Sequence, residues 1–158
     1  MYFKEFEVRW NDLDANWHLA NSSYMSFMSH TRMSFLEGLG FDHAALQEHQ
    51  IGPVVFYEHM YYFREVLPGT AVRVSLEVMG LSEDGMYFEF HHNFYDHQGR
   101  HLAHCELIGG WISLKTRKLI PLEARFLSAW DKVEKPEGFR ILTAADTRKY
   151  AKRPQDLA

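Results

Sequence analysis

The strongest pattern in the chain is a stripe of residues at helical spacing near its N-terminus. The stripe follows the i, i+3, i+4, i+7 and i+11 rule of one helix face. Its members are Tyr24, Phe27, Met28, Thr31 and Phe35. Further apolar residues widen it to most of the circumference: Met25, Met33, Leu36 and Leu39. This pattern predicts one helix, from Ser23 to Leu39, that is buried on nearly all sides.

Polar residues and glycines mark the two ends of this helix. Asn21, Ser22 and Ser23 each offer a side-chain oxygen that can cap the unpaired N–H groups of the first turn. Gly38 and Gly40 follow the last apolar turn, where glycine commonly ends a helix.

Alternating apolar and polar residues predict β-strands on both sides of the helix. The predicted strands cover residues 2–10, 51–66, 72–78, 86–94 and 101–115, and the last contains a bulge or bend at Gly109-Gly110. Turn sequences 67–70, 82–85 and 96–99 separate the later strands, and connections this short require antiparallel neighbours. Residues 41–49 and 123–133 predict two shorter helices.

These elements predict an α+β fold. When an antiparallel sheet curls around the helix, the apolar face of the sheet and the apolar surface of the helix are both buried. From Glu134 the composition shifts towards charge. We therefore expect a domain over residues 1–133, followed by a charged C-terminal tail over residues 134–158.

Composition limits the classes of protein to which the chain can belong. The chain has 158 residues, 46% of them apolar, and a net charge of −4, so we expect no nucleic-acid surface. No apolar run reaches the length of a membrane span, and the first residues do not resemble a signal peptide. Cys105 is the single cysteine and is predicted to be a small buried residue, without a disulfide. These features predict a cytoplasmic protein.

A polar loop between the first strand and the helix carries the candidate chemistry. It contains Asp12, Asp14, Asn16, His18 and Asn21, and it brings a carboxylate and a helix N-terminus to the same place. An Asp-x-Asp pair can bind a metal, but no third ligand is apparent. The ten histidines are scattered, and adjacent ones on a strand point to opposite faces. We therefore expect no metal site.

The order of elements and the loop resemble a known family. A strand, a long helix and antiparallel strands are typical of the hot-dog fold. The run Asp14-Ala15-Asn16-Trp17-His18-Leu19-Ala20-Asn21, followed by Tyr24, resembles the motif of acyl-CoA thioesterases of the 4-hydroxybenzoyl-CoA thioesterase group. Residues 64–70 are similar to a later turn of that family, and Arg32 is kept. The resemblance covers about residues 1–130.

The chain departs from this pattern at three places. Trp17 stands where the family often has glycine, and Ala20 replaces the first residue of an Asn pair. Ser29 or His30 occupies a helix position that is often Glu.

The resemblance implies thioester hydrolysis of an acyl-CoA, or of an acyl group on a carrier protein. Asp14 would act as base or nucleophile, the N–H near Asn21 would stabilise the oxyanion, and His18 would polarise the substrate or orient the loop. The implied substrate-binding residues are Trp17, Tyr24, Glu58 and His59, the last two reaching the site from a neighbouring subunit. No cofactor is expected, since coenzyme A is part of the substrate. A homodimer or homotetramer is implied.

Three alternatives remain open from the sequence. A non-catalytic acyl-CoA-binding or regulatory module is favoured by Trp17 and Ala20. A hot-dog hydratase or dehydratase usually has its Asp and His five apart, whereas Asp14 and His18 are four apart. A purely structural interaction domain would leave the loop without a pocket beside it. The basic tail residues can touch coenzyme A phosphates, remain in solvent or reach another subunit.

Overall fold

A computed structural model describes residues 1–150 and 152–157 of the chain. The helices and strands are β1 (Tyr2–Glu7), α1 (Asn21–Gly38), α2 (His43–Glu48), β2 (Ile51–Tyr62), β3 (Ala71–Leu81), β4 (Tyr87–Tyr95), β5 (His101–Ser113), α3 (Ala124–Leu127) and β6 (Arg140–Ile141). Five strands form an antiparallel sheet in the order β1-β3-β4-β5-β2, and β6 pairs in parallel with β3. The long helix α1 packs against this sheet, which confirms the predicted α+β architecture.

The inner face of the sheet buries the alternating apolar residues that the sequence predicts. On β3 these residues are Val72, Val74, Leu76 and Val78. On β4 they are Phe88, Phe90 and Phe94. Their burial against α1 removes large apolar surfaces from water, at about 25 cal/mol per Å². Cys105 is fully buried on β5, as predicted.

The start of α1 differs from the prediction. Its N-cap is Ala20, which offers no side-chain acceptor, and the helix begins two residues before Ser23. The predicted capping residues make other hydrogen bonds. Asn21 Oδ1 accepts the backbone N–H of Ser22 at 2.9 Å. Ser23 Oγ donates to the carbonyl of Asp12 at 2.8 Å. A tertiary bond to the preceding loop therefore replaces a local cap. The helix ends at Gly38, close to the prediction.

The burial of α1 is less complete than its apolar pattern predicts. The sheet covers one face, while the opposite face is exposed at Ser22, Ser26, Ser29, His30 and Glu37. Beside this face a pocket of about 260 Å³ opens between α1 and β2; among the residues that line it are Arg32, Met33 and Val55. The expectation of a helix buried on nearly all sides is therefore wrong for the single chain.

A bulge in β2 decides which way its later side chains point. The register slips between Val55 and Tyr57, so Glu58 pairs with Leu107 and faces α1, while His59 faces outwards. The sequence predicts a bulge at Gly109-Gly110, but the extra residue lies on the facing strand. β2 also ends at Tyr62 rather than at residue 66.

The segment after residue 134 crosses the outer face of the sheet. β6 pairs with the end of β3, and Arg140 forms salt bridges with Glu89 and Asp146. Further along, the ring of Tyr150 stacks on His59, with ring centroids 4.1 Å apart. The division into a domain and a separate tail stays a prediction.

Candidate functional site

The loop before α1 is folded around the side chain of Asp14. Its Oδ1 accepts the backbone N–H of Asn16 at 2.8 Å and that of His18 at 3.1 Å. The N–H of Asp14 donates to the carbonyl of His18 at 2.8 Å, which closes the turn. Within the described residues Oδ2 has no hydrogen-bond partner, and the side chain is exposed. One oxygen therefore holds the loop, and the other remains available for chemistry.

Asp12 anchors the base of this loop. Its carboxylate is 5% exposed and binds Arg9 through both oxygens, at 2.9 Å to Nη2 and 3.0 Å to Nε. The hydrogen bond from Arg9 lowers the pKa of the Asp12 carboxyl. Its carbonyl accepts the N–H of Ala20 and the hydroxyl of Ser23, both at 2.8 Å. Asp12 is thus committed to structure, and no cluster of His, Cys, Asp or Glu suited to a metal occurs among residues 1–150 and 152–157.

A pocket of about 320 Å³ lies where this loop meets the N-terminus of α1. Asp14, His18, Asn21 and Tyr24 all line it, so the structure brings together four residues that were singled out from the sequence. Asn21 is the first residue of α1, and its backbone N–H is among those that a helix leaves without an internal partner. Such N–H groups favour an anion because of their partial positive charge.

The last residue of β2 and the four residues that follow it form the opposite wall of the pocket. These residues are Tyr62, Phe63, Arg64, Glu65 and Val66. Glu65 holds His18, with 2.9 Å between its Oε2 and the imidazole Nε2, and the N–H of Leu19 donates to Val66 at 2.8 Å. The sequence does not predict this wall, although residues 64–70 are similar to a turn of the related family.

Tyr24 forms the floor of the pocket. Its side chain is buried and its ring lies edge-on to Tyr62, with ring centroids 5.1 Å apart. Burial, with smaller contributions from Tyr62 and Asp14, raises the pKa of Tyr24 to about 12. The hydroxyl is therefore uncharged at neutral pH.

The other three predicted site residues lie outside this pocket. Trp17 is on the same loop but is turned towards solvent, against Trp10. Glu58 faces Arg32 at 3.5 Å, and His59 contacts Tyr150 on the outer face of the sheet. Their expected approach from a neighbouring subunit concerns a second chain, so it stays a prediction.

The inner face of the sheet also carries a buried polar group whose role the sequence does not predict. His92 is fully buried; its Nδ1 donates to the carbonyl of Ser75 at 2.7 Å, and its Nε2 lies 3.5 Å from Arg32. Arg32 is also 3.5 Å from Glu58. Burial first, and then the charge of Arg32, lowers the pKa of His92 to about 3. Because His92 stays neutral in the folded chain, Arg32 has a hydrogen-bond acceptor there instead of a like charge.

We expect acid to destabilise the protein through His92. The unfolded imidazole gains a proton near pH 6.5, whereas the folded one resists it until about pH 3. The stability contributed by neutral His92 is therefore full above pH 6.5. It is lost as the pH falls, by at most about 1.4 kcal/mol per pH unit.

Urea unfolding at pH 7 and pH 5 measures this loss. The variant His92→Asn keeps a donor for Ser75 but does not titrate, so it should lose less stability between the two pH values. His97→Asn, in an exposed turn, should behave like the unaltered protein. If the unaltered protein and His92→Asn lost equal stability between pH 7 and pH 5, the pH dependence could not be assigned to His92.

Residues 8–130 match the model of a known family, described as the thioesterase-like superfamily. The chain belongs to the thioesterase-like superfamily. This match covers the loop, α1 and the four strands β2 to β5, and it confirms the family resemblance seen in the sequence. No curated protein matches the sequence significantly.

Solved structures share the fold of this thioesterase-like chain. A DHNA-CoA thioesterase from Staphylococcus aureus has a TM-score of 0.75 at 19% identity, covering 82% of this chain and 88% of that one. Slr0204, a 1,4-dihydroxy-2-naphthoyl-CoA thioesterase from Synechocystis, has a TM-score of 0.73 at 15% identity, covering 85% and 98%. SAV2348 from Staphylococcus aureus, a hypothetical protein solved in complex with CoA, has a TM-score of 0.75 at 17% identity, covering 90% and 93%. These likenesses confirm the hot-dog fold.

Among its described residues, this thioesterase-like chain has no helix long and apolar enough to cross a membrane.

Proposed function

We propose that the chain hydrolyses an acyl-CoA thioester at the pocket between the Asp14 loop and α1. The observation that carries this proposal is the free Oδ2 of Asp14 beside the N-terminus of a helix, both lining one pocket. A carboxylate and unpaired N–H groups on two sides of a carbonyl are what thioester hydrolysis requires. Membership of the thioesterase-like superfamily supports the same activity.

In this mechanism each group has one role. The backbone N–H of Asn21 donates to the thioester carbonyl oxygen as negative charge develops there. Asp14 takes a proton from water as the water oxygen attacks the carbonyl carbon, or attacks that carbon itself to form an anhydride that water then opens. In the first route the carbon–sulfur bond breaks and the coenzyme A thiolate takes up the proton held by Asp14. In the second route that bond breaks as the anhydride forms, and the thiolate takes up the proton released when water opens the anhydride. His18 is held by Glu65 and orients the loop around Asp14.

The carrier in this proposal is coenzyme A. The CoA bound to SAV2348, which has the same fold, supports this choice over an acyl carrier protein. The rings of Tyr24 and Tyr62 give the pocket an aromatic side against which an acyl group can pack. The two similar thioesterases from Staphylococcus aureus and Synechocystis act on a bicyclic aromatic acyl-CoA.

We further propose that two copies assemble through β2, as a homodimer or as half of a homotetramer. β2 is a 12-residue strand at the sheet edge, paired with β5 alone among the described strands. An open edge of this length invites pairing with another copy. The exposed face of α1 lies beside it. A second chain would also decide whether Glu58 or His59 reaches an acyl group.

A hydrolysis screen tests the activity. Release of the coenzyme A thiol would be followed with short, long and aromatic acyl-CoA substrates. We expect saturable turnover for at least one class. Saturable binding of acyl-CoA without thiol release in every class would reject hydrolysis and select the alternative, a non-catalytic acyl-CoA-binding module. The large residue at position 17, where the family often has glycine, is the feature that favours this alternative.

A further inference from the structure

Two of the four tryptophans lie on the surface next to each other. Trp10 is 73% exposed and Trp17 is 56% exposed, whereas Trp111 and Trp130 are buried. The exposed rings meet edge to face, with centroids 5.1 Å apart and planes at 72°. Large aromatic side chains left in water in this way commonly mark a binding surface. We call these two residues the tryptophan pair.

The backbone at Trp17 has a conformation that does not favour a large side chain. Its φ is +61°, a left-handed conformation that glycine adopts freely and that costs other residues about 1–2 kcal/mol. The turn itself is made by the main chain, since the N–H of Trp17 donates to the carbonyl of Asp14 at 3.1 Å. The related family often has glycine at this position. The chain thus holds a large aromatic residue at a conformational cost, and its ring packs on the exposed ring of Trp10.

The tryptophan pair is next to the pocket but not part of it. Trp17 lies three residues after Asp14 on the same turn, and its ring points into solvent rather than into the pocket. Beside Trp10, the side chain of Arg9 is 62% exposed. Asp12 binds the Nε and Nη2 of Arg9, which leaves Nη1 without a partner among the described residues. The surface around the pair therefore offers two aromatic faces and one cationic donor.

Resting on the proposed function, we propose that the tryptophan pair binds the adenine ring of the acyl-CoA substrate. The acyl group is placed by the pocket, and the pantetheine arm has no ring, so adenine is the remaining aromatic part of the substrate. Two rings set at 72° let a planar base stack on one indole and meet the edge of the other. Stacking of a base on an aromatic side chain raises affinity about 10-fold or more.

The test uses adenosine 3′,5′-bisphosphate, the nucleotide half of coenzyme A, and does not depend on catalysis. Titration of the full chain should quench tryptophan fluorescence, because the exposed pair reports contact while Trp111 and Trp130 are shielded. Trp17→Gly should weaken the binding at least 10-fold. Its melting temperature should stay equal or rise, since glycine suits the conformation at this position. Phe3→Ala, which removes an exposed aromatic ring on β1, is the matched control and should leave the affinity unchanged.

A second measurement compares substrates. For Trp17→Gly, kcat/KM with acyl-CoA should fall about 10-fold more than kcat/KM with the corresponding acyl-pantetheine. Equal losses for both substrates, or unaltered bisphosphate affinity in Trp17→Gly, would overturn the proposal. Dissociation of Trp17→Gly into monomers in sedimentation would also overturn the proposal, because the tryptophan pair would then belong to a contact between subunits. If the bisphosphate binds as expected but no thioester is hydrolysed, the proposed hydrolysis fails and nucleotide binding stands.

Discussion

Asp14→Asn is expected to lower kcat/KM for acyl-CoA hydrolysis about a thousandfold or more, with little change in stability. The amide oxygen of Asn can replace Oδ1, which accepts the N–H groups of Asn16 and His18, so the loop should keep its shape. The negatively charged second oxygen, with its ability to accept a proton or attack a carbonyl, is lost. A correctly placed general base contributes about 10²- to 10⁴-fold.

A matched control separates this effect from a general loss of loop structure. Asp84 also holds a turn, accepting the hydroxyl of Ser82 at 2.6 Å and the N–H of Met86 at 3.0 Å through one oxygen, and it does not line the pocket. Asp84→Asn should therefore keep full activity. Thermal unfolding would verify that both variants are folded. Near-normal turnover by a folded Asp14→Asn variant would rule out Asp14 as base or nucleophile.

Gly109→Ala is expected to destabilise the protein by about 3 kcal/mol or more. A β-carbon at this position would lie 2.4 Å from the carbonyl oxygen of Val54 and 2.5 Å from the ring of Phe88. The first contact is with the backbone of the neighbouring strand, which cannot move without breaking the pairing of β2 and β5. For a chain of this size, such a loss corresponds to a fall in Tm of roughly 10 °C.

Gly38→Ala provides the control for this substitution. Gly38 is the last residue of α1, and a β-carbon there would have no neighbour within 4 Å. Because alanine favours helix over glycine, its stability should stay equal or rise by about 0.5 kcal/mol. Urea or thermal unfolding of both variants measures the difference. A Gly109→Ala variant as stable as Gly38→Ala would mean that β2 and β5 are farther apart than described.

Periodicity predicted the main elements because it reports directly on burial. The 3.6-residue stripe of α1 and the alternation along β3 each place apolar side chains on one face, and the structure buries them there. Periodicity failed for β2, since one extra residue near Phe56 reverses the faces of all later residues. That reversal turns Glu58 towards α1 and His59 away from it, which the sequence pattern does not reveal.

The candidate site was predictable only in part. Asp14, His18, Asn21 and Tyr24 are close in sequence, so the loop and the first turns of α1 place them together. The partner of His18 is Glu65, far along the chain, and the bond from Leu19 to Val66 brings these segments together. His92 could not be assigned from its pattern, because a histidine on the apolar face of a strand has no local sign of its neighbour Arg32, which lies on another element.

The sequence by itself determined the family, the α+β class and the loop that presents Asp14 to the start of a helix. These properties depend on residues that are close along the chain and on the repeated spacing of apolar residues, and both can be read from the sequence. Only the tertiary structure decided that Asp12 is bound by Arg9 while Asp14 keeps a free oxygen, and that residues after β2 form the second wall of the pocket. The second wall depends on contacts between distant segments, and the pairing of Asp12 with Arg9 depends on the folded shape of one loop. Apolar spacing along the chain encodes neither.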